Sequence, residues 1–282
     1  MKAFFRALLR SPSGLIGFGL LALMVSMAVL APVLCNYAPD SQNLLHRLLP
    51  PLTSKDGQFY LLGTDELGRD VFSRLLYGSR ISFIVGPLSV LFGALFGVPV
   101  GLIAGYYRGI LDCIIMWLVD VQLAFPMLVI ALCLVAVFSP SMVSLVLILA
   151  ISSWLYFARV VRATVLSLRE TEFIEAERAV GANDFKIILR HILPNVVSPI
   201  IVLASTESAR RIIMESSLSF LGVGIQPPMV SLGLMLGSGR AYIQTAWWLG
   251  TLPGLFLAIA VLGINLFGSM LRDYFDPRTG LH

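Results

Sequence analysis

The chain has 282 residues, of which 57% are hydrophobic and only 13% charged, with a mean hydropathy of +0.88. Soluble domains carry about 25% charged residues, so this composition lacks the polar surface needed to cover a water-soluble globule. The formal charge of +4 comes from basic residues that sit beside apolar runs rather than clustered on one face, which speaks against a nucleic-acid partner. Cys35, Cys113 and Cys133 form no CxxC pair and no metal-ligand spacing, and read as unpaired small apolar side chains.

The first element follows Lys2, Arg6 and Arg10: an apolar run from Gly14 to Leu34. It is longer than the 7–15 residue core of an export signal, and Cys35 follows Val33 and Leu34 rather than small residues. It is therefore expected to stay as an uncleaved first transmembrane helix. Five more apolar stretches follow at 81–105, 113–137, 142–158, 196–220 and 250–271, giving six spans. About 20 residues of helix cross the hydrocarbon layer, and helices are the open-ended solution that satisfies every backbone group in lipid. The expected class is an all-α polytopic membrane protein with six transmembrane helices.

Twelve Lys and Arg residues fall on the N-terminal side of the membrane and six on the other, with Arg210 and Arg211 inside the fifth span. By the positive-inside rule both termini are expected in the cytoplasm of a bacterial inner membrane, with lipid as the surrounding partner. The first outer loop carries Pro39, Pro50 and Pro51 and then a stretch, Asp65–Ser79, with Leu67, Val71, Leu75 and Leu76 on one side. That stripe predicts an interfacial helix lying outside the membrane before the second span. The chain divides on this reading into 1–80, a span plus outer loop and interfacial helix, and 81–282, a five-helix core that includes a charged inner loop at 159–195.

The inner loop reads RETEFIEAERAVGANDFKIILRHILPN. Thr171 is placed to N-cap a short helix with Glu172 and Glu175 in its first turns, and Gly181 to end it in the left-handed conformation. Asn183 or Asp184 can cap a second helix, and Pro194 is expected to break the chain before the fifth span. Phe173, Ile174 and Ala179 are apolar side chains available for docking. Taken alone, an acidic amphipathic segment of this kind also fits a solvated connector.

This loop resembles the hallmark of the inner-membrane permeases of ATP-binding-cassette importers: E-A-A, three residues, Gly, and a run ending in I-x-L-P. Glu175, Ala176, Gly181, Leu193 and Pro194 match in register, while Glu177 replaces the second alanine and His191 stands where isoleucine is usual. The runs LGTDELGRDVFSRLLYGSRIS (62–82), SLSFLGVGIQPP (217–228) and LRDYFDPR (271–278) are similar to the dipeptide, oligopeptide and nickel branch, which often has Ser-Trp-Gly where this chain has Ser231, Leu232 and Gly233. The resemblance implies the type I importer permease fold and a partnership with a second homologous permease, two ATP-binding subunits and an extracytoplasmic solute-binding protein. It also implies that the loop is the ATPase-coupling helix, through Glu172, Glu175, Ala176, Arg178, Gly181 and Asp184. The transported solute would be small and polar, a peptide or a nickel chelate.

Charges at bilayer depth mark a second candidate region. Asp120 lies in the third span, and Glu207, Arg210, Arg211 and Glu215 lie in the fifth at spacings that suit an ion ladder: Glu207 with Arg210 and Arg211, and Arg211 with Glu215. This face either lines the translocation path or packs, self-neutralised, at a subunit interface; Asp120 is a candidate partner for it. No G-x-x-x-x-G-K-[ST] phosphate loop occurs, and His46, His191 and His282 are scattered. The chain is thus expected to be no enzyme and to hold no cofactor or metal, with ATP and Mg bound on the partner ATPase subunits. A self-powered secondary carrier is the rival, but it predicts inverted repeats that the first and last three spans do not show.

Overall fold

A computed structural model describes residues 8–9, 11–138 and 141–275 of the chain. The basic residues Lys2, Arg6, Arg10 and Arg278, His282, and the end of the LRDYFDPR run lie outside the described residues. Eleven α-helices and one small hairpin make up the described structure. Helix α1 spans Pro12–Leu34, with the Ser11 hydroxyl accepting from the Gly14 N–H and a proline in its first turn. It packs against the last helix, α11 (Trp248–Phe275).

Helix α2 runs unbroken from Val71 to Tyr107, 37 residues or about 55 Å by helical rise. The expected interfacial helix over 65–79 is therefore not a separate element. Val71, Leu75 and Leu76 of its apolar stripe lie in the first two turns of the second span, Leu67 falls in the turn before it, and residue 80 lies inside the helix. Residues 65–70 are a turn instead, because Asp65 accepts from the Leu67 and Arg69 N–H groups and from the Arg69 Nε at 2.7 Å. Asp70 then caps α2 by accepting from the Ser73 N–H at 2.8 Å. Just before this turn lies the hairpin β1 (Thr53–Lys55) and β2 (Gln58–Tyr60), closed through Asp56 and Gly57, both at positive φ. The buried His46 ties the hairpin down with 2.8 Å and 2.9 Å hydrogen bonds to Tyr60 and Asp56.

The third expected span is bent. Helix α3 (Gly109–Leu123) and helix α4 (Met127–Val137) meet at 90°. Pro126 supplies the cause: it has no N–H to continue α3 and disfavours helical geometry at Phe125. Among the described residues, five helices are long and apolar enough to cross a membrane, and the bent pair is a sixth if counted as one span. The fourth span is longer than expected. Helices α5 (Met142–Ile151) and α6 (Trp154–Arg169) form one 28-residue span with a step at Ser152 and Ser153. Residues 159–169 thus belong to a helix, and the charged connection begins at Glu170.

Close packing of α2 on α6 is the largest feature of the interior. Gly93, Gly97, Gly101 and Gly105 recur every four residues and turn one face of α2 into a backbone groove. A Cβ at Gly101 would lie 2.6 Å from the Ala158 carbonyl oxygen, and one at Gly105 would lie 2.8 Å from the Val165 Cβ. Gly101→Leu should force these helices apart by more than a side chain can absorb. The expected outcome is a purified protein whose thermal unfolding midpoint in detergent falls by several degrees, against an unchanged midpoint for Gly19→Leu, whose site is open.

Candidate functional site

The segment after α6 is an elbow of two short helices. Helix α7 covers Glu172–Ala179 and ends in a double closure: the Ala182 N–H donates to the Glu177 carbonyl at 3.1 Å, and the Gly181 N–H to the Arg178 carbonyl at 2.9 Å. Gly181 has φ of +83°, the left-handed value its sequence position implied. Thr171 occupies the N-cap position, but its hydroxyl donates backward to the Leu168 carbonyl rather than accepting from α7. Helix α8 (Asp184–Ile187) is capped by the Asn183 side chain, which accepts from the Phe185 N–H.

Pro194 does not break the chain. Wide i→i+5 turns over Ile188–Ile192 carry α8 into helix α9 (Leu193–Phe220), so that Asp184–Phe220 forms one 37-residue helix. The proline falls just after this wide turn, where the looser ladder accommodates its missing N–H.

Ile174 of α7 and Ile187 of α8 are fully buried against Leu102 and Tyr106 of α2 and Val161 and Val165 of α6. Ile174 is therefore part of the core, not a free docking side chain. Tyr106 is the hinge-pin of this contact. Its hydroxyl donates to Asp184 Oδ1 at 2.5 Å, and the Arg178 guanidinium lies 5.2 Å from its ring centre. Arg169 approaches the same ring and donates to the Tyr106 carbonyl. Arg178 and Asp184 thus fasten the elbow to α2.

The two positions that depart from the family pattern meet each other. Glu177 Oε1 lies 3.5 Å from His191 Nε2, bridging α7 to the wide turn. Beside the elbow, the Arg108 guanidinium donates to Glu170 at 2.5 Å and holds that carboxyl below its usual range.

The face turned away from the spans carries Glu172, Glu175, Ala176 and Ala179, all exposed. Three large apolar side chains join them: Phe173 at 45% exposure, Val180 at 88% and Phe185 at 67%. Val180 and Phe185 went unrecognised in the sequence, although an aromatic one residue past an acidic N-terminus was the available signal. Tyr106 was also missed. Its cue was the aromatic pair Tyr106–Tyr107 closing a span beside Arg108.

Within α9 two of the three expected pairs of the ladder form. Glu207 is fully buried and accepts from Arg210 at 3.0 Å and from Arg211 at 2.5 Å. Arg211 makes no described ion pair with Glu215. That carboxylate instead accepts from Ser82 of α2 at 3.1 Å and from Ser219 at 2.8 Å, with Ser216 alongside. The serine-rich run after Glu215 supplies neutral donors within one turn, and these satisfy the acid without a cation. Asp120 is not part of the cluster: it pairs with Arg159 of α6, as Asp112 pairs with Arg162 at 2.5 Å.

If Tyr106 fastens the elbow, Tyr106→Phe should loosen it without unfolding the spans, because only the hydroxyl is removed. Hydrogen exchange of the amides from 172 to 187 should accelerate about five- to thirtyfold, the equivalent of 1–2 kcal/mol for a charge-assisted hydrogen bond, while those of α2 stay protected. Equal exchange in both proteins would contradict this.

Residues 97–281 match the family described as binding-protein-dependent transport system inner membrane component, and residues 1–51 match the N-terminal transmembrane domain of oligopeptide transport permease C. The chain is 40% identical to a putative peptide transport system permease protein of Brucella suis biovar 1, over 97% of this chain and 90% of that one. It is 38% identical to a dipeptide transport system permease protein of Haemophilus influenzae, over 94% and 90% respectively. In fold it resembles the inward-facing MetNI methionine ABC transporter, with a TM-score of 0.58 over 72% of this chain and 96% of that one at 20% identity. The expected architecture accords with these matches. The chain belongs to the family of inner-membrane permease components of binding-protein-dependent transport systems.

Proposed function

We propose that this chain is one permease subunit of an ATP-driven peptide importer, and that Glu172–Gly181 with the following Asn183–Ile187 couples it to an ATPase subunit. The carrying observation is the elbow. A rigid two-helix unit is pinned at Tyr106 to α2 and, through Ile174, to α6, and it turns Phe173, Val180 and Phe185 away from the spans. Exposed aromatic and aliphatic side chains beside two carboxylates make a surface suited to a protein cleft. Within it, Glu172, Glu175 and Ala176 face the partner, Gly181 sets the angle, and Arg178 and Asp184 hold the elbow to the membrane part.

The permease names carried by its relatives favour a peptide over a nickel chelate. A second permease would complete the path, and a solute-binding protein would deliver the solute to the 35–70 segment at the far end of α2. ATP and Mg would bind on two partner subunits placed against the elbow. Both termini would then lie in the cytoplasm, as the Lys and Arg asymmetry implies. Closure of the ATPase pair would move the elbow as a rigid body and switch the path between its two openings. The Glu207 cluster of α9 would face that path, since an exposed Arg210 at this depth needs a polar surrounding.

Gly181→Val tests the coupling role directly. A β-branched residue at φ of +83° costs about 1–2 kcal/mol or more, so the elbow would redirect. Nothing lies within 4 Å of a Cβ at this position, so the spans should still insert at wild-type abundance. Uptake and substrate-stimulated ATP hydrolysis by the complex are expected to fall at least tenfold. Glu175→Lys, which reverses charge on the outward face, should act in the same way. Normal uptake by both variants would reduce the elbow to a connector.

A further inference from the structure

Ten residues before the Phe220 end of α9, about 15 Å by helical rise, the charge does not balance. Buried Glu207 faces two guanidiniums, and one carboxylate against two cations leaves one positive charge over. Arg211 is 3% exposed, and its Nε has no hydrogen-bond partner among the described residues. Arg210 reaches outward at 63% exposure. Both guanidiniums lie 5.7 Å from the ring centre of Tyr156, on α6.

Arg210, Arg211 and Met214 of α9 and Tyr156 of α6 line a cavity of about 330 Å³ together with Met127 and Leu128 of α4. Met127 and Leu128 are the first residues beyond the bend at Pro126, so the break in the third span is what brings them opposite α9. A flat guanidinium with free donors matches a carboxylate in shape and charge, and the two methionines of the lining, Met127 and Met214, adapt to varied side chains. A charge exposed at this depth is not stable against hydrocarbon, so the cavity opens to water or to a polar solute.

We propose that this cavity is a binding site for the free carboxylate of a transported peptide, with Arg210 making the contact. Arg211 and Tyr156 are positioning residues: Arg211 shares Glu207 with Arg210 and supplies the excess charge, and Tyr156 holds the guanidinium plane. The proposal rests on the peptide-importer reading above and adds to it a named site and a required substrate group.

The test uses the complete importer in proteoliposomes with its solute-binding protein at saturation. It compares uptake of tri-alanine with uptake of tri-alanine amide, which lacks the carboxylate. Any preference of the binding protein is common to all variants and cancels when their acid-to-amide ratios are compared. Arg210→Gln is expected to lower that ratio about tenfold, the loss of one charge-assisted pair. Arg210→Lys should keep most of it.

An unchanged ratio in Arg210→Gln overturns the proposal. So does an equal fall for both peptides, which would mean that Arg210 pairs with the second permease instead. If Arg210→Gln does not assemble, the same ratio is read in Tyr156→Leu, where a fall is again expected and an unchanged value again overturns the site. Absence of any peptide uptake by the unaltered importer would sink the peptide reading itself, and the site with it.

Discussion

Backbone contact between α2 and α6 is the constraint from which the rest of the molecule hangs. The glycines at 93, 97, 101 and 105 let the two helices approach until carbonyl oxygens of α6 fill the groove on α2. In lipid this contact gains nothing from expelling water, so van der Waals packing and close approach must hold it. The same seam ends at Leu102, Tyr106, Val161 and Val165, which are the floor on which the elbow sits. The elbow and the span are therefore one mechanical unit. A force on α7 acts on α2 through Tyr106 and Ile174 rather than through a flexible linker.

The opposite end of α2 is fixed with equal economy of parts. Asp65 gathers the Arg69 side chain at 2.7 Å and Arg74 at 3.3 Å, and Asp70 caps the helix. Trp248 of α11 donates to the Thr64 carbonyl at 3.2 Å and ties the last helix to the same turn. One unbroken helix of 37 residues thus joins an ordered segment on one side of the molecule to the elbow on the other. In the proposed importer these two ends would meet the binding protein and the ATPase respectively, which gives the continuity of α2 a purpose that two separate helices would lack.

Most of the spans were legible from length and hydropathy, because an apolar run near 20 residues has few other fates. The elbow was legible from Gly181 and Asn183, whose backbone and side-chain preferences act locally. Errors arose where tertiary partners decide. The stripe at 71–76 reads equally as an interfacial helix or as the start of a span, and only the turn built by Asp65 separates the two. Spacing alone paired Arg211 with Glu215, but serines from α2 and α9 compete for that carboxylate and prevail. Depth made Asp120 a candidate partner for α9, whereas Arg159 on the neighbouring helix pairs with it instead. Glu177 and His191 had no reading as single departures, and their meaning appears only when the wide turn brings them together.

The central claim is that the elbow and the 35–70 segment face different protein partners across the membrane. Site-specific photo-crosslinking from the assembled importer in intact cells addresses it most directly, with one probe at Phe185 and another at Leu52, both highly exposed. The account predicts capture of the ATP-binding subunit from position 185 and of the solute-binding protein from position 52. Capture of the binding protein from position 185, or of the ATP-binding subunit from position 52, would contradict both the orientation and the coupling role.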